Sequence, residues 1–347
     1  MKLKQTQVGV LAALSAALIF GMGTPLAKLL LADVSPWLLA GLLYLGSGVG
    51  LTIYRFITTA LPVKLTSVEL LWFSGSILAG GIVAPVLLMW GLSSMPSSEA
   101  SLLLNTEGVF TALLAWFAFK ENFDRRIAIG MLAIVIGAAI LSWPAKISFA
   151  SSFPTLAILG ACFAWGVDNN LTRKVSLYDA TWIASVKGLV AGTVNLLLAF
   201  SLGATLPAIP HLAGAMVLGF LAYGVSLTLF VIGLRHLGTA RTGAYFSVAP
   251  FFGALLAITL GESVTLPLVI AGLFMAIGIW LHLSEHHEHI HSHMPMEHDH
   301  EHTHDEHHQH SHEDQIELGV KHTHAHQHLP IKHSHPHYPD PHHQHDH

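Results

Sequence analysis

The sequence predicts an all-α integral membrane protein: ten transmembrane helices in a five-plus-five inverted repeat, followed by a disordered tail. Three observations carry this: the composition, the recurrence of long apolar runs, and matches between the two halves. Of the 347 residues 52% are hydrophobic and 11% charged, where a soluble domain carries about a quarter charged. Of 27 histidines only His211, His236 and His282 precede Ser284. The chain therefore divides into an oily body, 8–283, and a polar tail that carries much of the net charge of −5. Cys162 stands alone, which excludes an intramolecular disulfide and the secreted scaffolds that depend on one.

A bilayer core takes about 20 apolar residues per helix. Runs of that length place helices near 8–31, 36–57, 69–92, 97–119, 126–143, 154–173, 180–203, 211–235, 240–261 and 265–283. The first is too long for a signal-peptide core, and it carries Thr24, Pro25 and Lys28. Ser93-Ser94-Met95-Pro96-Ser97-Ser98 separates the third from the fourth as a turn. With the N-terminus inside, inner segments hold Lys2, Lys4, Arg55, Lys64, Lys120, Arg125, Arg126, Arg173, Lys174, Arg235 and Arg241. Outer loops hold only Lys28 and Lys146, and Lys187 falls within a span. Such a bias predicts both termini in the cytoplasm of a plasma (bacterial inner) membrane, and moving the count by one helix would erase it.

The halves repeat. Phe20-Gly21 matches Trp165-Gly166, and at the same offset Leu26 falls on Leu171, Lys28 on Arg173 and Trp37 on Trp182. Ala112-Leu113-Leu114-Ala115 resembles Ala254-Leu255-Leu256-Ala257; after a slip of one residue Glu121 falls on Glu262 and Gly137 on Gly278. This divides the chain into a first repeat, 1–145, a second, 146–283, and the tail, 284–347. Five helices per repeat is an odd number, so the second copy is expected upside down, with a substrate site near the midplane.

At these residues the chain resembles the EamA-type transporters of the drug/metabolite transporter superfamily. The resemblance rests on Gly238-Thr239-Ala240-Arg241-Thr242-Gly243-Ala244, Pro250 and Gly261-Glu262 in the second half. In the first half it rests on Ser97-Ser98-Glu99-Ala100-Ser101-Leu102-Leu103, Val109-Phe110 and Lys120-Glu121. It implies ten helices, an inverted repeat and movement of small solutes, most often outward. The chain departs from it at Glu107-Gly108, where the family usually has proline.

Ionisable groups within spans are costly and usually face a cavity or a partner. Glu99, Glu107, Asp168, Lys187 and Lys28 are such groups. Asp168-Asn169-Asn170 is the most polar stretch in the body, and Gly23-Thr24-Pro25 occupies the matching place in the first repeat. Pro25 removes a helix donor and frees a carbonyl. Thr24, Pro25, Asn105, Glu107, Asp168, Asn169, Asn170 and Lys187 are therefore the expected cavity lining. Glu107, read as mid-helix, needs a proton or a partner, which makes proton coupling through Glu107 or Asp168 an expectation. Lys28 and Arg173 are read as snorkelling to opposite surfaces, and Asp168 with Lys187 as a structural bridge is the plainer alternative to a transport role.

From His286 onward histidine alternates with Glu, Asp, Ser and Pro, with no apolar face to bury. Imidazole suits nickel, cobalt, zinc and copper. Expected ligands are His298, His300, His302, His304, His307, His308, His310, His312, His322, His324, His326 and His328. No cofactor is required by the body, no nucleic-acid partner is indicated, and a homodimer stays open. The expected function is secondary transport of a small solute across the bilayer, outward as the resemblance implies; divalent-metal efflux and a membrane-held metal buffer or sensor are the alternatives. No catalytic triad, phosphate loop or His/Glu metal motif points to an enzyme.

Overall fold

The structure is a computed structural model of the chain; it describes residues 5–60, 63–119, 125–142, 149–175, 178–237, 242, 245–283, 288–292, 297–302, 322–327 and 332–336. Two units separate, Met1–Glu285 and His286–His347.

In the first unit apolar helices follow the predicted order: α1 Gln5–Leu30, α2 Pro36–Ile57, α3 Ser67–Ser93, α4 from Ser97 to Phe119, α5 Arg125–Ser142, α6 Phe149–Thr172, α7 Ala180–Ser201, α8 from Ile209 to Leu237, α9 Ala249–Thr259 and α10 Leu266–Leu283. Among the described residues α1, α2, α3, α7 and α8 are long and apolar enough to cross a membrane on their own. Local chemistry starts them where the sequence permits. Pro36 opens α2, where its missing N–H costs nothing. Thr66 and Glu69 form a reciprocal capping box on α3, and Asp179 accepts from the Thr181 and Trp182 amides at the start of α7.

Two helices carry π-turns at matching places, Ile77–Val83 in α3 and Phe220–Val225 in α8. A π-turn displaces carbonyls from the i→i−4 ladder, and side chains take up those of α3. The Gly80 carbonyl accepts from the Tyr44 hydroxyl at 2.6 Å and from the Trp165 indole at 3.1 Å. The Gly81 carbonyl accepts from Asn195 at 3.1 Å.

Packing across the bundle depends on glycines whose missing side chain lets backbones touch, as expected where lipid offers no hydrophobic drive. A Cβ on Gly137 of α5 would meet Ala271 and Met275 of α10; one on Gly278 of α10 would meet Gly130 and Ile134 of α5. In the same way Gly21 lies against Ala249 and Phe252, and Gly166 against Phe110 and Thr111. One shift along the chain carries Gly137, Gly130 and Ile134 onto Gly278, Ala271 and Met275, and so exchanges the two sets of the α5–α10 pair. Large apolar side chains such as Phe56, Leu197, Ile209 and Trp280 point outward, the surface a hydrocarbon solvent accepts.

In the second unit four strands pair antiparallel: β1 Glu288–Ser292 with β4 Lys332–Pro336, and β2 Glu297–His302 with β3 His322–Gln327. The rest of 284–347 lies outside the described residues. Histidine alternates at the period of a strand, so backbone pairing is available without apolar periodicity. An isolated two-stranded ribbon is marginal in water.

Candidate functional site

The fourth span does not run unbroken. It comprises α4a, Ser97–Leu103, and α4b, Thr106–Phe119, with a tight turn between them. There Asn105 N–H donates to the Leu102 carbonyl at 3.1 Å, Thr106 Oγ1 to the Leu103 carbonyl at 2.8 Å, and Glu107 N–H to the Leu104 carbonyl at 3.0 Å. Glu107 therefore sits in the first turn of a half-helix, not mid-helix as its sequence context suggested. Its carboxylate lies at the positive end of the α4b dipole.

Glu107 Oε1 accepts from Asn169 Nδ2 at 2.9 Å, and the same amide donates to Thr111 Oγ1 at 3.2 Å. Asn169 is exposed and Glu107 partly so, while a Cβ on the neighbouring Gly108 would meet nothing within 4 Å. This opening lies about halfway along α4. The Glu107 carboxylate, the Asn169 amide and the open side of Gly108 thus share one polar place between α4b and α6, within a span where such groups are costly without water or a partner.

Next to Asn169 on α6, Asp168 is held by Lys187, whose Nζ lies 2.5 and 2.7 Å from the two carboxylate oxygens. Thr172 Oγ1 donates to Asp168 Oδ1 at 2.8 Å. Gly80 makes room for this pair, since a Cβ there would fall on the Asp168 carboxylate. Both charges are buried, and at this separation they cancel. Glu107 has no such balance: the ion pairs among the described residues are Lys187–Asp168, Arg55–Asp179 and His211–Asp33.

Aromatic rings of α1, α2, α6 and α8 pack against one another. The Tyr44 and Tyr223 ring centroids are 5.2 Å apart. Tyr223 packs on Phe20 at 5.9 Å, and Phe20 on Trp165 at 6.4 Å and on Phe246 at 5.3 Å. Phe20 and Trp165, matched by the repeat, thus meet across the centre. Sequence reasoning singled out none of the tyrosines, because an aromatic in a span ordinarily reads as core or interface.

The other expected lining residues make contacts of their own. Asn170 ties α6 to its own turn and to α4b through the Gly166 and Thr111 carbonyls. Asn105 points at Met275 of α10 with 3.6 Å between its Nδ2 and the sulfur, and its Oδ1 has no partner among the described residues. Thr24 and Pro25 are buried in α1. Lys28, one turn further, does not snorkel: its Nζ donates to the Leu92, Ser93 and Met95 carbonyls at 2.6, 3.2 and 3.1 Å, capping α3. Among the described residues no group of three or more His, Cys, Asp or Glu side chains is arranged to hold a metal ion. In the second unit His298, His300 and His302 stand in register with His326, His324 and His322. His304, His307, His308, His310, His312 and His328 lie outside the described residues.

Comparison with known proteins places this architecture. The profile of the EamA-like transporter family matches residues 7–143 and again 152–284. The chain belongs to the EamA-like transporter family. This EamA protein is thus a multi-pass membrane transporter of a ten-helix fold. It is 27% identical over 297 residues to an "uncharacterized transporter" of Methanothermobacter thermautotrophicus, covering 79% of this chain and 85% of that one. A second "uncharacterized transporter", from Clostridium kluyveri, is 25% identical over 215 residues, covering 58% and 68%. A solved crystal structure superposes with a TM-score of 0.63 at 18% identity, covering 79% of this EamA chain and 94% of that chain; that likeness speaks for the fold.

Proposed function

We propose that this EamA protein is a secondary transporter that moves a small organic solute out of the cell through a path between α1, α2, α4, α6 and α8. The observation that carries it is the break in α4, which sets an unbalanced carboxylate, Glu107, beside open space at mid-depth. Discontinuous helices with half-helix termini aimed at a central site are how transporters expose polar backbone without wetting lipid. The glycine contacts of α5 with α10, which one shift along the chain exchanges, support two halves of inverted topology that rock about that site. Glu107 is the group through which proton movement couples to flux. On this reading the protein sits in the plasma membrane with both termini cytoplasmic, and the tail binds nickel, cobalt, zinc or copper ions there through neutral imidazoles as a regulator, not as part of the path.

The test is proton-coupled efflux from proteoliposomes bearing full-length protein, the Glu107→Gln variant, or the chain ended at Leu283. The expected outcome is flux retained after truncation and a pH dependence flattened by Glu107→Gln. Flux lost with the tail would favour the metal-buffer reading, and an unchanged pH profile would remove Glu107 from coupling.

A further inference from the structure

Histidine stands opposite histidine in both ribbons of the second unit. In the β2–β3 ribbon His298 pairs with His326, His300 with His324 and His302 with His322. In the β1–β4 ribbon His289 pairs with His335 and His291 with His333. The paired positions advance in step from one ribbon to the other, so both are stretches of a single hairpin ladder.

Strand chemistry by itself does not favour that register. Opposite charges across a ribbon support it and like charges directly opposite weaken it, so imidazoles are better placed against carboxylates than against one another. A slip of one residue would achieve this on β2. Instead Glu297, Asp299 and Glu301 stand opposite Gln327, Ala325 and Thr323. An isolated two-stranded ribbon is also marginal in water, and closing the connection over 303–321 adds an entropic cost. Something held between the strands would meet both difficulties.

Positions two apart on a strand share a face, so His298, His300 and His302 fall on one face of the ribbon together with His326, His324 and His322. Opposite Cβ atoms of an antiparallel pair are roughly 4.5–5.5 Å apart, close enough for two imidazoles to converge on one ion at about 2.0–2.1 Å. Resting on the reading of the tail as a metal binder, we infer that a zinc-like divalent ion is held across the strands by the pairs His298–His326, His300–His324 and His302–His322, and that this ion closes the ribbon. Each pair supplies two ligands and water completes the coordination. Neutral imidazole is the ligand such ions accept. The hairpin thus forms as metal is supplied and opens as it is withdrawn.

The test uses the purified full chain with Cys162→Ser, Glu297→Cys and Gln327→Cys. The two new cysteines are register partners at positions that alternate with the histidines, and both carry nitroxide labels. Zinc sulfate is titrated in while bound zinc and the spin–spin coupling of the labels are measured together. Coupling is expected to be weak without zinc and to rise as zinc binds. The triple replacement His298→Ala, His300→Ala, His302→Ala is expected to abolish that rise. The matched triple His307→Ala, His308→Ala, His310→Ala is expected to keep it, and both variants are expected still to bind zinc through their remaining histidines. Full coupling before zinc, a rise that survives loss of the three β2 histidines, or a rise lost equally in both triples overturns the paired site and leaves the tail a metal binder. No zinc bound by the unreplaced tail removes the paired site and the metal-binding reading together.

Discussion

Lys187 and Asp168 show how one side chain governs its neighbour inside a membrane protein. The pair is buried and doubly bonded, so truncating one partner strands the other. Lys187→Ala should destabilise by about 3–5 kcal/mol, whereas replacing both with apolar or neutral residues of similar size should cost far less. Thermal unfolding of the two single variants and of Asp168→Asn/Lys187→Met in detergent checks this: a double variant as unstable as the sum of the singles would deny the coupling. The ingredients were legible in the sequence, because two opposite charges in adjacent spans are rare enough to be read as partners. Glu107 was legible as unusual but not as a terminus residue. Leu104-Asn105 carries neither proline nor glycine, so nothing local announces the break in α4. Lys28 was misread for a related reason: whether a lysine near a helix end reaches water or the Leu92 carbonyl depends on where another helix stops.

At the scale of elements, the turn between α3 and α4 is clasped from both sides. Lys28 covers the last carbonyls of α3, while Glu262, from the α9–α10 loop, accepts from the Ser97 and Ser98 amides, each at 2.8 Å, and from Ser97 Oγ at 2.6 Å. Partial burial works to raise the Glu262 carboxyl, but these hydrogen bonds outweigh it and hold the group below its ordinary value of 4.5. A carboxylate depressed on folding adds stability that is present above its unfolded value and disappears as pH falls through the folded one. The wild-type melting temperature should therefore drop between pH 5 and about pH 3, and the drop should be smaller in Glu262→Gln; equal slopes in the two proteins would deny the clasp an energetic role. Glu262 was legible only as part of a motif. Its partners lie a half-chain away, and no periodicity reveals them. The π-turns in α3 and α8 were hidden as well, since one extra residue in a turn leaves an apolar run looking the same.

For the whole molecule, contacts sort by the end of the bundle they occupy. Lys28, Asp33, His211 and Glu262 meet the α1–α2, α3–α4 and α9–α10 connections or the start of α8 at one end. At the other, Arg55 pairs with Asp179 at 2.9 Å and Tyr178 bonds Glu69 at 2.9 Å. This alternation is what ten crossings require, and basic-residue counting read it from sequence because insertion itself is biased by charge. With Cys162 replaced by serine, single cysteines at Ser94 and Thr58 lie in the connections after α3 and after α2, so any odd number of spans between them puts them on opposite faces. Applied to intact cells, a membrane-impermeant thiol reagent is expected to label Ser94→Cys and to spare Thr58→Cys until the membrane is permeabilised. Labelling of both would break the ten-span count, because one helix separates them. Labelling of Thr58→Cys alone would keep the count, invert the molecule, and carry the histidine-rich segment to the outside, where it would meet a different supply of metal ions.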